Sequence, residues 1–432
     1  MDEAQDLNFA QYALIRALAA PNGNVLMVGS PNQAIYGFNG SDTRYMLQDF
    51  REDFKVTRYE LTENYRSAKT IIRAANTLFP GDVMDESAAP IGGECLVKAL
   101  PNEQEEAAWV VGRISDLLAA GKHPDIEGPL TLKSMAVLAR NRYVFSAVDS
   151  ALEGAGMPHY YRRSSTDPVL ESDFAQCFDL GLRMLVNPLD RLHWRQLCEL
   201  LACGPGAGTG KTGMDLLRSV ASRVRTDWEH SFAALVAAWS SVDNNVSTFS
   251  KAVDDLRQHC LSDARLNGAT ADAAERALIL EDLEFLRENW RKYILATQPD
   301  ARTLSHFRNQ MAMGLTTPLD ERDGVPLATV HSVKGLEYDV VFLIGMTEGT
   351  FPDYRAVTQG GKALEEEKND AYVAITRARR LLYITYPQNR VMPWDKGAGT
   401  TTRQQRSRFL AVLTSYGTGK EEQPPSLMVA ER

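Results

Sequence analysis

Two acids at the start of the chain are the first residues that could do chemistry. Asp2 and Glu3 are adjacent. One such carboxylate can hold Mg²⁺ while the other activates water. Alone, such a pair is ordinary solvated surface; its neighbours have to decide. Tyr36 and Phe38 lie two apart on a segment that reads as extended, so both project to one face. Aromatic faces of this kind stack on unpaired bases without reading sequence, at roughly 1–3 kcal/mol per base. A glycine-rich run at 204–212, GPGAGTGKT, invites a phosphate-loop reading, because backbone amides in such loops cradle phosphates. The pattern GxxxxGK[ST] needs glycine at 205, where Pro205 stands. Trp194 to Cys203, before it, has a helical rather than a strand pattern. Lys211 and Thr212 therefore read as the turn of a helical hairpin, facing duplex phosphates, and the alternative is a second nucleotide site.

The elements that must position these residues come from a chain of 432 residues, enough for two or three domains. It is 44% hydrophobic and 24% charged, which supports sizeable cores. The net charge of −9 excludes a uniformly cationic coat for duplex, but leaves room for a local basic groove. The five cysteines (Cys95, Cys177, Cys198, Cys203 and Cys260) form no CxxC pair and read as reduced, buried thiols. Absence of a membrane-length apolar run and of a secretory n-region predicts a cytoplasmic protein.

Ala4–Ala20 reads as a helix with Phe9, Leu14 and Leu18 on one face, and Val25–Val28 as a short buried strand. Helices are expected over Lys69–Leu78, Glu103–Ala120 and Val144–Ala155, and a strand over Met135–Ala139. Residues from about 170 to 312 are almost wholly helical in pattern. Pro326–Val330 and Tyr338–Ile344 return to strand character, followed by a helix over Leu364–Arg379 and a last strand over Leu381–Thr385. The alternation predicts an α/β domain with a largely parallel sheet, interrupted by a helical insertion.

Five stretches then become specific together: DEAQD at 2–6, QAIYGFNGSD at 33–42, LTENYRS at 61–67, TVHSVKGLEYDVVF at 329–342, and EEEKNDAYVAITRA at 365–378. In this order and spacing they resemble the UvrD/Rep-type superfamily 1 DNA helicases over roughly residues 1–412. The resemblance implies a RecA-like fold in five parts: a portion of a first RecA-like domain (1–64), a second RecA-like domain in two halves (65–165 and 323–415), a helical accessory insertion (166–322), and a flexible tail (416–432). It also implies ATP with Mg²⁺ bound between two RecA-like domains, and 3′→5′ translocation on single-stranded DNA with unwinding at single-strand/duplex junctions.

By the same resemblance Asp2 is the Mg²⁺ ligand, Glu3 the general base and Gln33 a γ-phosphate sensor. Arg66 and Arg377 become the two γ-phosphate arginines. Thr329, His331 and Lys334 lie near the DNA backbone or the cleft, and Glu337 near the nucleotide sugar. Gly335 would allow close backbone approach. Phe38 takes the place of a base-stacking aromatic. Tyr36 either joins it or packs in the core. Asn39 stands where an arginine is common, Tyr338 where Trp is usual, and Lys368-Asn369 where an arginine pair is common. Arg379 and Arg380 read as surface charges.

The family's phosphate loop and central strand belong before DEAQD, and Met1 directly precedes it. The expectation is thus a chain inactive alone. The alternatives are a DNA- or partner-binding module, or one half of a split helicase whose N-terminal half is a separate chain.

Overall fold

A computed structural model describes the chain except for residues 20–22, 38–39, 163–169, 171, 205–208, 211, 225–227, 263–269, 317–322, 392–400, 411–419 and 423–432. It divides into two units, one of Met1–Arg162 with Glu321–Arg432 and one of Arg163–Asp320.

In the first unit, the helix expected over Ala4–Ala20 is split. Ala4–Asp6 forms a single 3₁₀ turn, and α1 begins afresh at Phe9–Ala19. The break is made by Asn8 and Gln11, whose side chains each accept the other's backbone N–H at 3.0 Å. That reciprocal pair is a capping box, so it starts a helix rather than continuing one. Tyr12 faces a small cluster with Ala4, Leu7, Tyr45 and Phe50, the last beginning the short α2 (Phe50–Asp53). Phe9, Leu14 and Leu18 point to solvent. Val25–Val28 is not a buried strand. Its backbone meets the first residues through Met1 N to Leu26 O (2.7 Å), Val28 N to Met1 O (2.8 Å) and Ala4 N to Val28 O (2.9 Å), but Leu26 is 74% exposed. With only one neighbouring segment paired, and only Val25 and Met27 packed on the small cluster, the short run lacks the two-sided cover a buried strand requires.

Beyond this segment lies a sheet. α3 (Lys69–Leu78) precedes β1 (Glu94–Leu100), a strand the sequence reading overlooked. Most of β1 is buried on both faces, so it lacks the alternation that marks a half-exposed strand. α4 (Glu103–Ala120) follows as expected. Asn102 caps it by accepting Glu105 N at 2.9 Å, three glutamates fill its first turn, and Gly121 ends it in the left-handed region at φ 65°. Next come β2 (Met135–Ala139), α5 (Ser146–Gly154) and β3 (His159–Arg162).

The second unit consists of helices, as the pattern of 170–312 predicted: α6 (Asp173–Val186), α7 (Arg191–Leu200), α8 (Gly213–Ser219), α9 (Glu229–Asn244), α10 (Phe249–Ser262), α11 (Thr270–Ala296) and α12 (Leu304–Ala312). Phe178, Trp239, Phe249, Trp290 and Phe307 share its core. Gly181 makes room for Trp239; a Cβ there would lie 2.1 Å from the indole ring, whose Nε1 donates to Phe178 O at 2.9 Å.

The first unit resumes with β4 (Val325–Thr329), β5 (Tyr338–Leu343), α13 (Tyr354–Gln359), α14 (Gly361–Thr376) and β6 (Ala378–Pro387). The last helix ends three residues before the expected Arg379, and the strand after it starts three residues before Leu381. It is not the final strand. β7 (Asn389–Val391) and β8 (Thr401–Arg403) pair antiparallel. β9 (Lys420–Glu422), inside the segment expected to be a loose tail, pairs with β1.

The main sheet runs β3-β4-β2-β5-β6-β1-β9, and every pairing in it is parallel. Side chains alternate across it. Val341 and Leu343 of β5 join the layer with α3 and α14, while Val340 and Phe342 join the layer with α4 and α5. The expected α/β architecture is present, and its two-sided burial explains the apolar run VVFLI at 340–344. All five cysteines are free thiols, four of them buried. Among the described residues no helix is long and apolar enough to cross a membrane.

Candidate active site

Three of the five motif stretches meet at the edge of the first unit where β5 and β6 begin. Glu337 precedes β5 and Arg377 precedes β6. The loop carrying Arg66 is fastened to the same place. Asn64 Oδ1 accepts the backbone N–H groups of Arg66 and Ser67 at 3.0 Å each, and Ala68 N donates to Arg379 O at 2.8 Å. Arg380 donates back to Arg66 O at 2.8 Å. Arg380 is therefore buried against this loop and is not a surface charge, as the sequence reading had it. Arg379 pairs with Asp339 at 3.4 Å and Glu337 at 3.6 Å.

Arg66 Nε bonds Glu337 Oε2 at 2.6 Å, with both side chains partly exposed. Arg377 differs sharply. It is 1% exposed, and its guanidinium donates to Val373 O (3.1 Å), Leu336 O (3.0 Å) and Thr376 Oγ1 (3.2 Å). Among the described residues no carboxylate lies at ion-pair distance from it. Burial, with Arg66 adding repulsion, draws it down to about 10, so it keeps its charge at neutral pH. A buried cation bonded only to neutral oxygens is an environment that favours an arriving anion.

Asp2 and Glu3 sit on the exposed turn before the 3₁₀ helix. Glu3 adopts φ 52°, a left-handed conformation rare for a non-glycine residue and common where function holds strain. Its Oε2 accepts Gln5 Nε2 at 2.5 Å, and Gln5 Oε1 accepts Ser30 N at 3.0 Å, so a buried glutamine fixes the acid. Asp2 Oδ1 accepts Glu3 N at 2.9 Å, which leaves Oδ2 as a hard oxygen toward solvent. Among the described residues no cluster of three metal-ligating side chains exists. A single carboxylate suits Mg²⁺, which keeps waters and takes substrate phosphates as its other ligands.

Lys334 is nearly buried. Its Nζ bonds Asp6 Oδ2 at 2.5 Å and Gln33 O at 2.7 Å, stands 3.9 Å from Glu3 Oε2, and lies 4.8 Å over the Tyr36 ring. Burial pushes Asp6 above the usual carboxylate range, against the pull of Lys334. Lys334 thus joins the acidic turn to the aromatic segment. Tyr36 packs between this ammonium and His331, whose ring centroid is 6.3 Å away. Phe38 and Asn39 lie outside the described residues.

His331 is pushed down to about 4 by burial and by Arg140, and is neutral at physiological pH. It stands 3.6 Å from Asp370, itself pushed up to about 7 by burial. Arg140 holds this cluster together, bonding Glu367 at 2.6 Å and Asp370 at 3.3 Å. Thr329 Oγ1 faces Ser332 Oγ at 3.4 Å. Gly335 has φ 81°, and no atom of the chain lies within 4 Å of where its Cβ would stand. Glycine here answers to backbone conformation and leaves the space beside it open.

The run at 204–212 does not carry a phosphate loop in its described residues. α7 precedes it where a strand is needed. Thr212 caps α8 by accepting Asp215 N at 3.1 Å, which occupies its hydroxyl. Residues 205–208 and 211 lie outside the described set.

Sequence reasoning missed Gln5, Asp6, Asn64, Arg140 and Asp370. Asn64 stood inside a quoted motif and had the asparagine signature of a turn. Gln5, Asp6 and Asp370 also stood inside quoted stretches, but nothing local told that Gln5 would reach Ser30, Asp6 Lys334, or Asp370 Arg140.

The description "UvrD-like helicase C-terminal domain" matches residues 59–204 and 218–389. The chain belongs to the UvrD-like helicase family. The "UvrD/REP helicase N-terminal domain" matches residues 1–55. A protein described as ATP-dependent DNA helicase PcrA from Staphylococcus aureus is 27% identical over 472 residues, covering 100% of this chain and 61% of that protein. PcrA of Bacillus subtilis is 28% identical over 452 residues, covering 96% of this chain and 57% of its own length. This UvrD-like chain therefore spans about three-fifths of the relatives it matches. The solved C-terminal domain of a possible DNA helicase from Lactobacillus plantarum covers 83% of this chain and 98% of its own at 9% identity, with a TM-score of 0.31, too low to bear on the fold.

Proposed function

We propose that this chain is the motor portion of an ATP-dependent 3′→5′ DNA translocase and helicase, acting on single-stranded DNA and its junctions with duplex. The observation that carries the reading is Arg377: buried, charged, without a carboxylate partner among the described residues, and beside Arg66 and Glu337. ATP with Mg²⁺ would supply the phosphoryl group whose transfer to water drives the motor. Asp2 holds the metal through its free oxygen. Glu3, fixed by Gln5, accepts a proton from the attacking water. Arg66 exchanges Glu337 for phosphate oxygens, and Arg377 lends its charge from behind. Gln33 reports on the terminal phosphate, and Glu337 with Gly335 borders the sugar. Tyr36 and Phe38 meet bases, while Thr329, His331 and Lys334 border the strand. The five-part division 1–64, 65–165, 166–322, 323–415 and 416–432 is the corresponding domain proposal, and the cytoplasm is its setting.

The test is hydrolysis of ATP with and without oligo-dT. Glu3→Gln is expected to lower DNA-stimulated turnover by about 10²–10⁴-fold, the usual range for loss of a general base. Turnover unchanged in Glu3→Gln, or absent from the wild type, overturns the catalytic reading.

A second reading is favoured by the exposed apolar residues Phe9, Leu14, Leu18, Leu26 and Leu61. Here the chain is a DNA- or partner-binding module, or one half of a split helicase, and these side chains seat another polypeptide. Absent turnover with retained oligo-dT binding would select it.

A further inference from the structure

Helix α14 ends at the buried Arg377, and one of its faces grips the aromatic segment. Lys362, Glu366 and Asn369 are four and three residues apart and so share a side of the helix. Asn369 Nδ2 donates to Ala34 O at 2.9 Å and lies 3.5 Å from Pro31 O. Glu366 lies against Gly37, where a Cβ would come within 2.2 Å of Glu366 Oε1. Gly37 is not in the left-handed region, so what it provides is space. Lys362 Nζ meets Asp42 Oδ2 at 3.1 Å. Ala34, Gly37 and Asp42 thus meet Asn369, Glu366 and Lys362 in antiparallel order, along about 10 Å of helix.

The three contacts differ in strength. Lys362–Asp42 is exposed and contributes little. The Gly37–Glu366 approach enforces proximity without a bond. Asn369 is half-buried and bonds a backbone carbonyl, which fixes the chain path whatever the side chain at 34.

We propose that this face of α14 is a rail that positions the Tyr36 segment for single-stranded DNA, with Asn369 as its main positioning residue; this rests on the DNA reading above. Arg377 lies eight residues, about 12 Å, further along the same helix. A displacement of α14 at its nucleotide end therefore reaches the aromatic segment through Asn369, beside the hold of Lys334 on Gln33 O.

The test uses the full chain, backbone hydrogen exchange and fluorescence anisotropy with oligo-dT. Asn369→Asp keeps the size and removes the donor. It is expected to speed exchange at Ala34 and Gly40 by about tenfold, by local opening, with the amides of α14 unchanged. It should weaken oligo-dT binding by about fivefold, the size of one net hydrogen bond. Gly37→Ala should do the same through Glu366. Asn369→Gln, which keeps an amide donor, should recover most of both effects, as a purely structural role would not require. Segment exchange unaltered in Asn369→Asp and Gly37→Ala overturns the rail. So does unaltered oligo-dT affinity in those variants beside a wild type that binds. A wild type that does not bind oligo-dT overturns the DNA reading itself, and the rail with it.

Discussion

The first sixty residues and the parallel sheet both carry many apolar side chains, yet they use them in opposite ways. Val340, Val341, Phe342 and Leu343 of β5 are all fully buried, with helices over both faces. In α1, Tyr12 alone is buried, while Leu18 is 72% exposed. The N-terminal segment is held less by its own core than by polar contacts to the rest of the unit: Lys334 to Asp6, Asn369 to Ala34, Lys362 to Asp42 and Asn32 to Asp82 (2.7 Å). Burial on two faces makes the sheet the unit's stable frame. Directional contacts make the segment an attachment whose position can respond to what binds.

The sharpest test of that contrast is the pair Phe342→Ala and Leu18→Ser. Phe342 stacks on Tyr383 with centroids 5.2 Å apart in a fully buried layer. Its truncation should cost about 3–5 kcal/mol in urea denaturation. A loss under about 1 kcal/mol would mean that the sheet is no more a core than α1.

Next in size is a pH effect confined to the sheet. Glu106 is buried and pushed up to about 7 by burial, with the bonds from Thr385 Oγ1 (2.6 Å) and Gly345 N (3.0 Å) opposing. Its folded value lies above the ordinary value near 4.5, so the folded state binds the extra proton in between. The stability it contributes is complete below about 4.5 and is lost as pH rises through about 7. Glu106→Gln can still accept both bonds at its oxygen. It should remove this slope and gain on the wild type by at most about 3 kcal/mol between those limits. Equal pH–stability curves would refute it.

Lys334→Ala is expected to act locally. It leaves the partly buried Asp6 without its cation, a loss of about 1–3 kcal/mol. Amides of residues 1–50 should exchange faster while those of β5 and β6 hold. Uniform acceleration would show that segment and sheet open together. The smallest effect is Leu18→Ser, expected within about 0.5 kcal/mol of the wild type. A large loss would mean that this face is covered in solution, and sedimentation would reveal the partner copy.

Much of the fold was legible where one period dominates. Glu103–Ala120 declared its helix; Tyr338–Ile344 declared a buried strand. β1 escaped because two-sided burial erased its alternation and Lys98 interrupted its apolar run. The split at Asn8 escaped because a capping box looks, in sequence, like two polar residues inside a helix. In the candidate site, the motif residues were legible as types in order. Their partners were not, since Gln5, Arg140 and Asp370 are recognisable only through what they touch.

The sequence by itself determined the order of the motif stretches, the parallel α/β class and the helical character of the inserted unit. These follow from local periodicity and from residue types close together in the chain. Only the tertiary structure decided that Arg377 is buried with no acid at ion-pair distance among the described residues, while Arg66 lies open on Glu337. It likewise decided that Lys334 is committed to Asp6, and that α14 carries the aromatic segment on one face. Burial and pairing depend on which surfaces meet across hundreds of residues, and no local pattern encodes which surfaces those are.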